Sequence, residues 1–140
     1  MGREEAIEKS LAYFDDTEMG YLRDLSNLVK IPTESQNPES GPFLAQYLEK
    51  VMVNKFGHLG FDCNIYQNPI DGCAPVLLAT RIEGAELPTI LGYGHGDVIL
   101  GQEGAWDEEL DPWQLTVKGD RIYGRGTADN KGQHLAHLVA

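Results

Sequence analysis

Apolar residues recur at spacings of three and four across residues 4–30, with Leu22, Leu25, Leu28 and Val29 on one face. That period predicts a helix interrupted only at Gly20. Ile31-Pro32-Thr33 ends it, because the residue before a proline avoids helical geometry. The polar stretch 34–40 reads as a loop. Over 42–58 the stripe Phe43, Leu44, Tyr47, Leu48, Val51, Met52 and Phe56 predicts a second amphipathic helix, with Gly60 placed to terminate it. After Gly60 the period changes. Residues 61–66, 76–82 and 89–98 read as strands, punctuated by Pro69, Asp71-Gly72 and Glu83-Gly84. The third is nearly continuous in apolar character at its start, which suits a sheet interior. A loop over 101–112 leads into a hairpin, 114–117 with 121–123, joined around Gly119-Asp120. The chain then turns through Gly124-Arg125-Gly126 and starts a helix near Lys131 that is still running at Ala140. Two helices, then strands, then a strand, a loop and a helix define an α/β domain.

Composition narrows the function classes. A formal net charge of −11 leaves no basic stripe to displace counterions from phosphates, so nucleic acid is not an expected partner. No run of apolar residues is long enough to span a membrane. The polar, acidic start Met1-Gly2-Arg3-Glu4-Glu5 leads into no secretory core. Cys63 and Cys73 are too few for a disulfide framework and lack the spacing of a zinc or redox motif. They read as free thiols, and the expected location is the cytoplasm.

Two short constellations carry chemistry. The first is Gly94-His95-Gly96-Asp97, near the end of the third predicted strand. Residues two apart in an extended chain share a side, so His95 and Asp97 can face one site. An imidazole nitrogen binds metal, and a carboxylate can fix the ring from behind. Alone, the pair is a weak signal and more readily describes a strand-end histidine beside a solvated carboxylate. The second is Gly124-Arg125-Gly126-Thr127-Ala128-Asp129-Asn130-Lys131-Gly132, which sets an aspartate in a glycine-rich turn just before a helix. Such an aspartate is either a helix cap or a carboxylate bridging two metal ions.

Taken together and in order, His95-Gly96-Asp97, Trp106, Asp111-Pro112-Trp113, Ile122-Tyr123-Gly124-Arg125-Gly126 and Asp129-Asn130-Lys131-Gly132 resemble the dinuclear zinc exopeptidase and deacylase family. That family includes aminoacylase, acetylornithine deacetylase, succinyl-diaminopimelate desuccinylase, glutamate carboxypeptidase and the carnosinase-type dipeptidases. The resemblance is strongest over 89–132. It implies the N-terminal part of a zinc-exopeptidase-like catalytic domain, a mixed central sheet flanked by helices, occupying residues 1–140. It implies that His95 is a metal ligand, that Asp129 bridges both metals, and that Asp97 is the catalytic-site residue holding the His95 ring. These three side chains are expected to converge on one pocket. The cofactors implied are two divalent ions, zinc by default, with cobalt and manganese as fitting alternatives. The Asp129–Asn130 peptide is often cis in the family. Asn130 departs from the methionine of the deacylase branches and favours the dipeptidase branch.

The activity implied is hydrolysis of an amide bond in a small peptide or N-acyl amino acid by a water held between the metals. The alternative is a non-enzymatic, truncated or metal-free relative acting as a binding protein. The general base, the remaining ligands and a lid and dimerisation domain, hence a homodimer, are expected beyond residue 140, so residues 1–140 alone should be inactive and should expose apolar surface. Glu108-Glu109 precedes Asp129 and reads as loop charge. His134 and His137, three apart on the last helix, read as surface positions, although they could form a ligand pair. His58 reads as a helix-end residue, Trp106 and Trp113 as anchors of the long loop or as packing over the site mouth, and Arg125 as the partner of a core carboxylate.

Overall fold

A computed structural model describes residues 2–140. Helix α1 spans Arg3–Asp15 and α2 spans Tyr21–Val29. The break between them has a local cause. The Asp16 carboxylate accepts from the main-chain N–H groups of Glu18 and Met19, which folds the chain into a turn. Gly20 then passes so close to α1 that a Cβ there would sit 2.0 Å from the Tyr13 carbonyl oxygen. The second predicted helix is a continuous rod. It is built from α3 (Gly41–Ala45), a π-helical stretch Gln46–Met52, and α4 (Val53–His58). His58 Nδ1 lies 2.7 Å from the Asn54 carbonyl in its last turn, and Gly60 follows with φ of 81°, the left-handed geometry that favours glycine.

The strands form two separate antiparallel pairs. β1 (Asp62–Tyr66) pairs with β2 (Val76–Thr80), with Cys63 opposite Ala79, and β3 (Thr116–Lys118) pairs with β4 (Arg121–Tyr123). Helix α5 covers Lys131–Val139. The core is helical: Leu25, Leu28 and Val29 of α2 pack with Tyr47, Met52 and Leu135, and burying each large aliphatic side chain contributes roughly 1.5–3 kcal/mol. Tyr21 Oη donates to the Gly132 carbonyl at 2.8 Å, which locks α2 to the first turn of α5.

The segment 89–98 corrects the sequence reading. It forms no strand beyond one parallel bridge between Glu34 and Val98. Its apolar start is open to solvent, with Ile90 91% and Leu91 89% exposed. A strand exists only by pairing, and among the described residues no neighbouring backbone lies along this segment except at Val98. There the Val98 N–H donates to the Thr33 carbonyl at 2.8 Å, and the Ser35 N–H donates to the Val98 carbonyl at 3.0 Å. Among the described residues no helix is long and apolar enough to cross a membrane.

Candidate metal centre

His95 stands between two carboxylates. Its Nδ1 is 3.2 Å from Asp97 Oδ1 and 3.1 Å from the Asp97 carbonyl, and its Nε2 is 3.0 Å from Asp129 Oδ1. The two motifs, 34 residues apart, are thus brought together. They meet at an open surface rather than in a pocket, since the Asp129 side chain is 84% exposed. Burial alone would lower the His95 imidazole. The Asp97 carbonyl and carboxylate, with the Asp129 carboxylate, outweigh it and hold His95 above its ordinary value.

Two supports place the ring. On one side the Thr33 hydroxyl donates to the Gly96 carbonyl at 2.6 Å. On the other the His95 N–H donates to the Asn130 side chain at 3.0 Å. The Asp129–Asn130 peptide is cis. The Asn130 contacts fix their own chemistry. A main-chain N–H only donates, so its partner on Asn130 is the carbonyl oxygen Oδ1. His134 Nδ1, 3.2 Å from the same oxygen, must therefore carry a proton. That leaves His134 Nε2 as the acceptor of the Tyr47 hydroxyl at 2.6 Å. Burial, with the charges of His95 and Lys131, pushes His134 down to about 4.

His134 is consequently not a surface residue, and it forms no pair with the exposed His137. Lys131 is also fully buried; its ammonium donates to the carbonyls of Leu28 (3.0 Å) and Ile31 (2.7 Å) at the end of α2, and lies 5.1 Å from the Tyr47 ring centre. Burial pulls Lys131 down to about 7. The signal for both was in the sequence: 131, 134, 135 and 138 are spaced as one helical stripe, with Leu135 and Leu138 marking it as the inward face.

The long loop is anchored as read. Trp106 Nε1 donates to the Gly101 carbonyl, Trp113 Nε1 donates to Glu103, and exposed Glu109 pairs with Lys118. Arg125 departs from its reading. Among the described residues it forms no ion pair with a core carboxylate; it donates to the Gly101 carbonyl at 3.2 Å and lies over the Trp106 ring. The main-chain N–H of Glu103 and the Trp113 indole hold the exposed Glu103 carboxyl below its ordinary value, and the Arg125 charge helps. Glu34, buried in front of this loop, accepts from the Gly101 N–H at 2.6 Å. Cys63 and Cys73 are free.

An imidazole nitrogen beside an exposed carboxylate is a mixed nitrogen and oxygen donor set of the kind zinc accepts. Among the described residues no group of three or more His, Cys, Asp or Glu is gathered to hold an ion. His95 and Asp129 therefore fit as part of a donor set.

Residues 91–140 match peptidase family M20/M25/M40. Over 96% of its length the chain is 35% identical to the Beta-Ala-His dipeptidase of Mus musculus, covering 29% of that protein. It is 34% identical to the acetylornithine deacetylase of Pasteurella multocida over 80% of the chain and 28% of that protein. The solved structure of human carnosine dipeptidase 1 superimposes with a TM-score of 0.83 at 26% identity, over 96% of this chain and 29% of that one. The fold, with its helices and strands, is that of part of these dipeptidases, and the sequence likeness to peptidase family M20/M25/M40 lies in residues 91–140. The chain spans 29% of the length of the Mus musculus Beta-Ala-His dipeptidase and of human carnosine dipeptidase 1.

Proposed function

We propose that this chain is the N-terminal portion of a metal-dependent hydrolase that cleaves the amide bond of a dipeptide or N-acyl amino acid. The observation that carries the reading is the His95 ring set between Asp97 and Asp129 in a chain whose relatives are named dipeptidases and deacetylases. His95 Nε2 and the Asp129 carboxylate would hold metal. Asp97, behind the ring at Nδ1, keeps the imidazole oriented and raises its basicity. Two divalent ions, zinc by default, would when bound supply Lewis-acid activation of water and of the scissile carbonyl. The exposed outer face of Asp129 leaves room for donors from beyond residue 140, where the proton-accepting glutamate also belongs in this reading. A cytoplasmic homodimer acting on a small substrate completes it.

The test is hydrolysis of dipeptides and N-acyl amino acids by the protein at its natural length, with and without a chelator. His95→Ala and Asp129→Ala should each abolish turnover and lower metal content, and Asp97→Asn should reduce turnover about 10–100-fold. Full activity in the His95→Ala protein, or activity indifferent to chelation, would overturn the reading and favour a metal-free relative.

A further inference from the structure

The side chains that hold His95 continue inward to a pair that touches neither carboxylate. Tyr47, in the π-helical stretch, and His134, on α5, are joined by a 2.6 Å hydrogen bond, and both are buried. Both also press on the main chain flanking His95. A Cβ added at Gly94 would sit 2.5 Å from His134 Cβ, and one at Gly96 would sit 2.3 Å from Tyr47 Cε1. Glycines are required there because these two side chains occupy the space. Asn130 completes the frame, with its Oδ1 shared between the His95 N–H and His134 Nδ1, and its amide donating to Gln133 at 2.6 Å.

We propose that Tyr47 and His134 are positioning residues, which act through the Asn130 carboxamide and through contact with Gly94 and Gly96 to set where the His95 imidazole stands. The Tyr47 hydroxyl, donating to Nε2, supports the His134 tautomer that the Asn130 oxygen requires at Nδ1. That tautomer presents Nδ1–H to Asn130, and Asn130 is thereby turned with its oxygen toward the His95 N–H. If the Tyr47 hydroxyl were absent, the imidazole proton could move to Nε2, and Nδ1 would then face Asn130 Oδ1 as a second acceptor. The consequence for metal binding rests on the reading of His95 as a ligand, whereas the positioning itself does not.

The experiment uses the natural-length protein and two readouts: hydrogen exchange of the His95 amide in the metal-free state, and zinc affinity. The β1–β2 hairpin amides report global loosening. His134→Leu removes the donor, and His134→Asn restores a donor near the Nδ1 position. Tyr47→Phe keeps the ring against Gly96 and removes only the hydroxyl. His134→Leu should speed His95 exchange at least about tenfold beyond any change in the hairpin, and should weaken zinc about 10–100-fold. His134→Asn should recover most of both, and Tyr47→Phe should shift both in the same direction as His134→Leu. The proposal is overturned if His95 exchange changes only in step with the hairpin, or if His134→Asn is no better than His134→Leu. Should His134→Leu not fold, unchanged His95 exchange in Tyr47→Phe overturns it equally. A wild-type protein that binds no zinc defeats the ligand reading, and the exchange readout still decides the positioning.

Discussion

Acidification should unlock the interior through His134 before it unfolds the surface. In the folded chain His134 is neutral, donates from Nδ1 to Asn130 and accepts at Nε2 from Tyr47. Protonating it places a second N–H against the Tyr47 hydroxyl, in a buried site already facing His95, Lys131 and, more distantly, His137. Its folded value lies at about 4, against 6.5 for the free side chain. The sign follows from proton counting: the unfolded chain binds the proton first, so stability is fully present above pH 6.5 and falls as pH drops toward 4. At 1.36 kcal/mol per unit, the full loss is about 3 kcal/mol, of which about 2 kcal/mol falls between pH 7 and pH 4.5. Asp24, whose carboxyl is held below its ordinary value, also protonates in acid, so the wild-type curve alone is not diagnostic. The assay is denaturant unfolding of metal-free wild type and His134→Asn at half-unit steps from pH 7 to pH 4.5. Subtracting the variant should leave a stability difference that shrinks by about 2 kcal/mol across that range. A flat difference, or one that grows toward acid, would mean that His134 is not held neutral by its surroundings.

Two glycines should respond oppositely to the same methyl group. Gly132→Ala puts a Cβ 2.0 Å from the Thr127 carbonyl oxygen, a backbone atom that cannot swing away. It should cost at least about 3 kcal/mol, read as a drop in melting temperature, and an unchanged melt would show that the turn before α5 is looser than described. Gly57→Ala meets nothing within 4 Å on the exposed side of α4, and should raise stability by about 0.5–1 kcal/mol through helix propensity; a lower melting temperature would refute that.

The elements legible in the sequence were those whose information is local. The stripe from Phe43 to Phe56 needs only its own period to declare a helix, and Gly119-Asp120 needs only its flanks to declare the β3–β4 hairpin. The segment 89–98 shows the limit. Its apolar run was plain, but a strand is a relation between two backbones, and only Val98 finds a partner, at Thr33–Ser35. The site divides the same way. His95, Asp97 and Asp129 stood out because they sit in short glycine-containing motifs that occur together in one order along the chain. Tyr47 was hidden as one apolar position among seven, and its hydroxyl acquires a role only once α5 is packed against it. His134 was misjudged by weighing residue type above position, and the burial of Lys131 follows from the same stripe. On a stripe shared with Leu135 and Leu138, even a charged side chain goes inward, and its polar atoms must then find partners.

The opening third of the chain has a purpose its sequence did not advertise. Residues 28–35 contain no histidine, and their one carboxylate, Glu34, is occupied by the Gly101 N–H and by Asn37. Yet both halves of the candidate centre are tied to this short stretch. Thr33 and Ser35 bond to the backbone at Gly96 and Val98, which fixes the segment bearing His95 and Asp97. The Leu28 and Ile31 carbonyls receive the Lys131 ammonium, which fixes the turn bearing Asp129 two residues earlier. Each bond alone would be an ordinary contribution of about 1–3 kcal/mol. What matters geometrically is that they share one frame. His95 and Asp129 are 34 residues apart, and their 3.0 Å approach is held by the direct link through Asn130 and by a common anchor at the end of α2. A shift of that anchor would carry both donors together, whereas loss of one set of bonds would move one donor against the other. The end of α2 is therefore part of the centre's architecture.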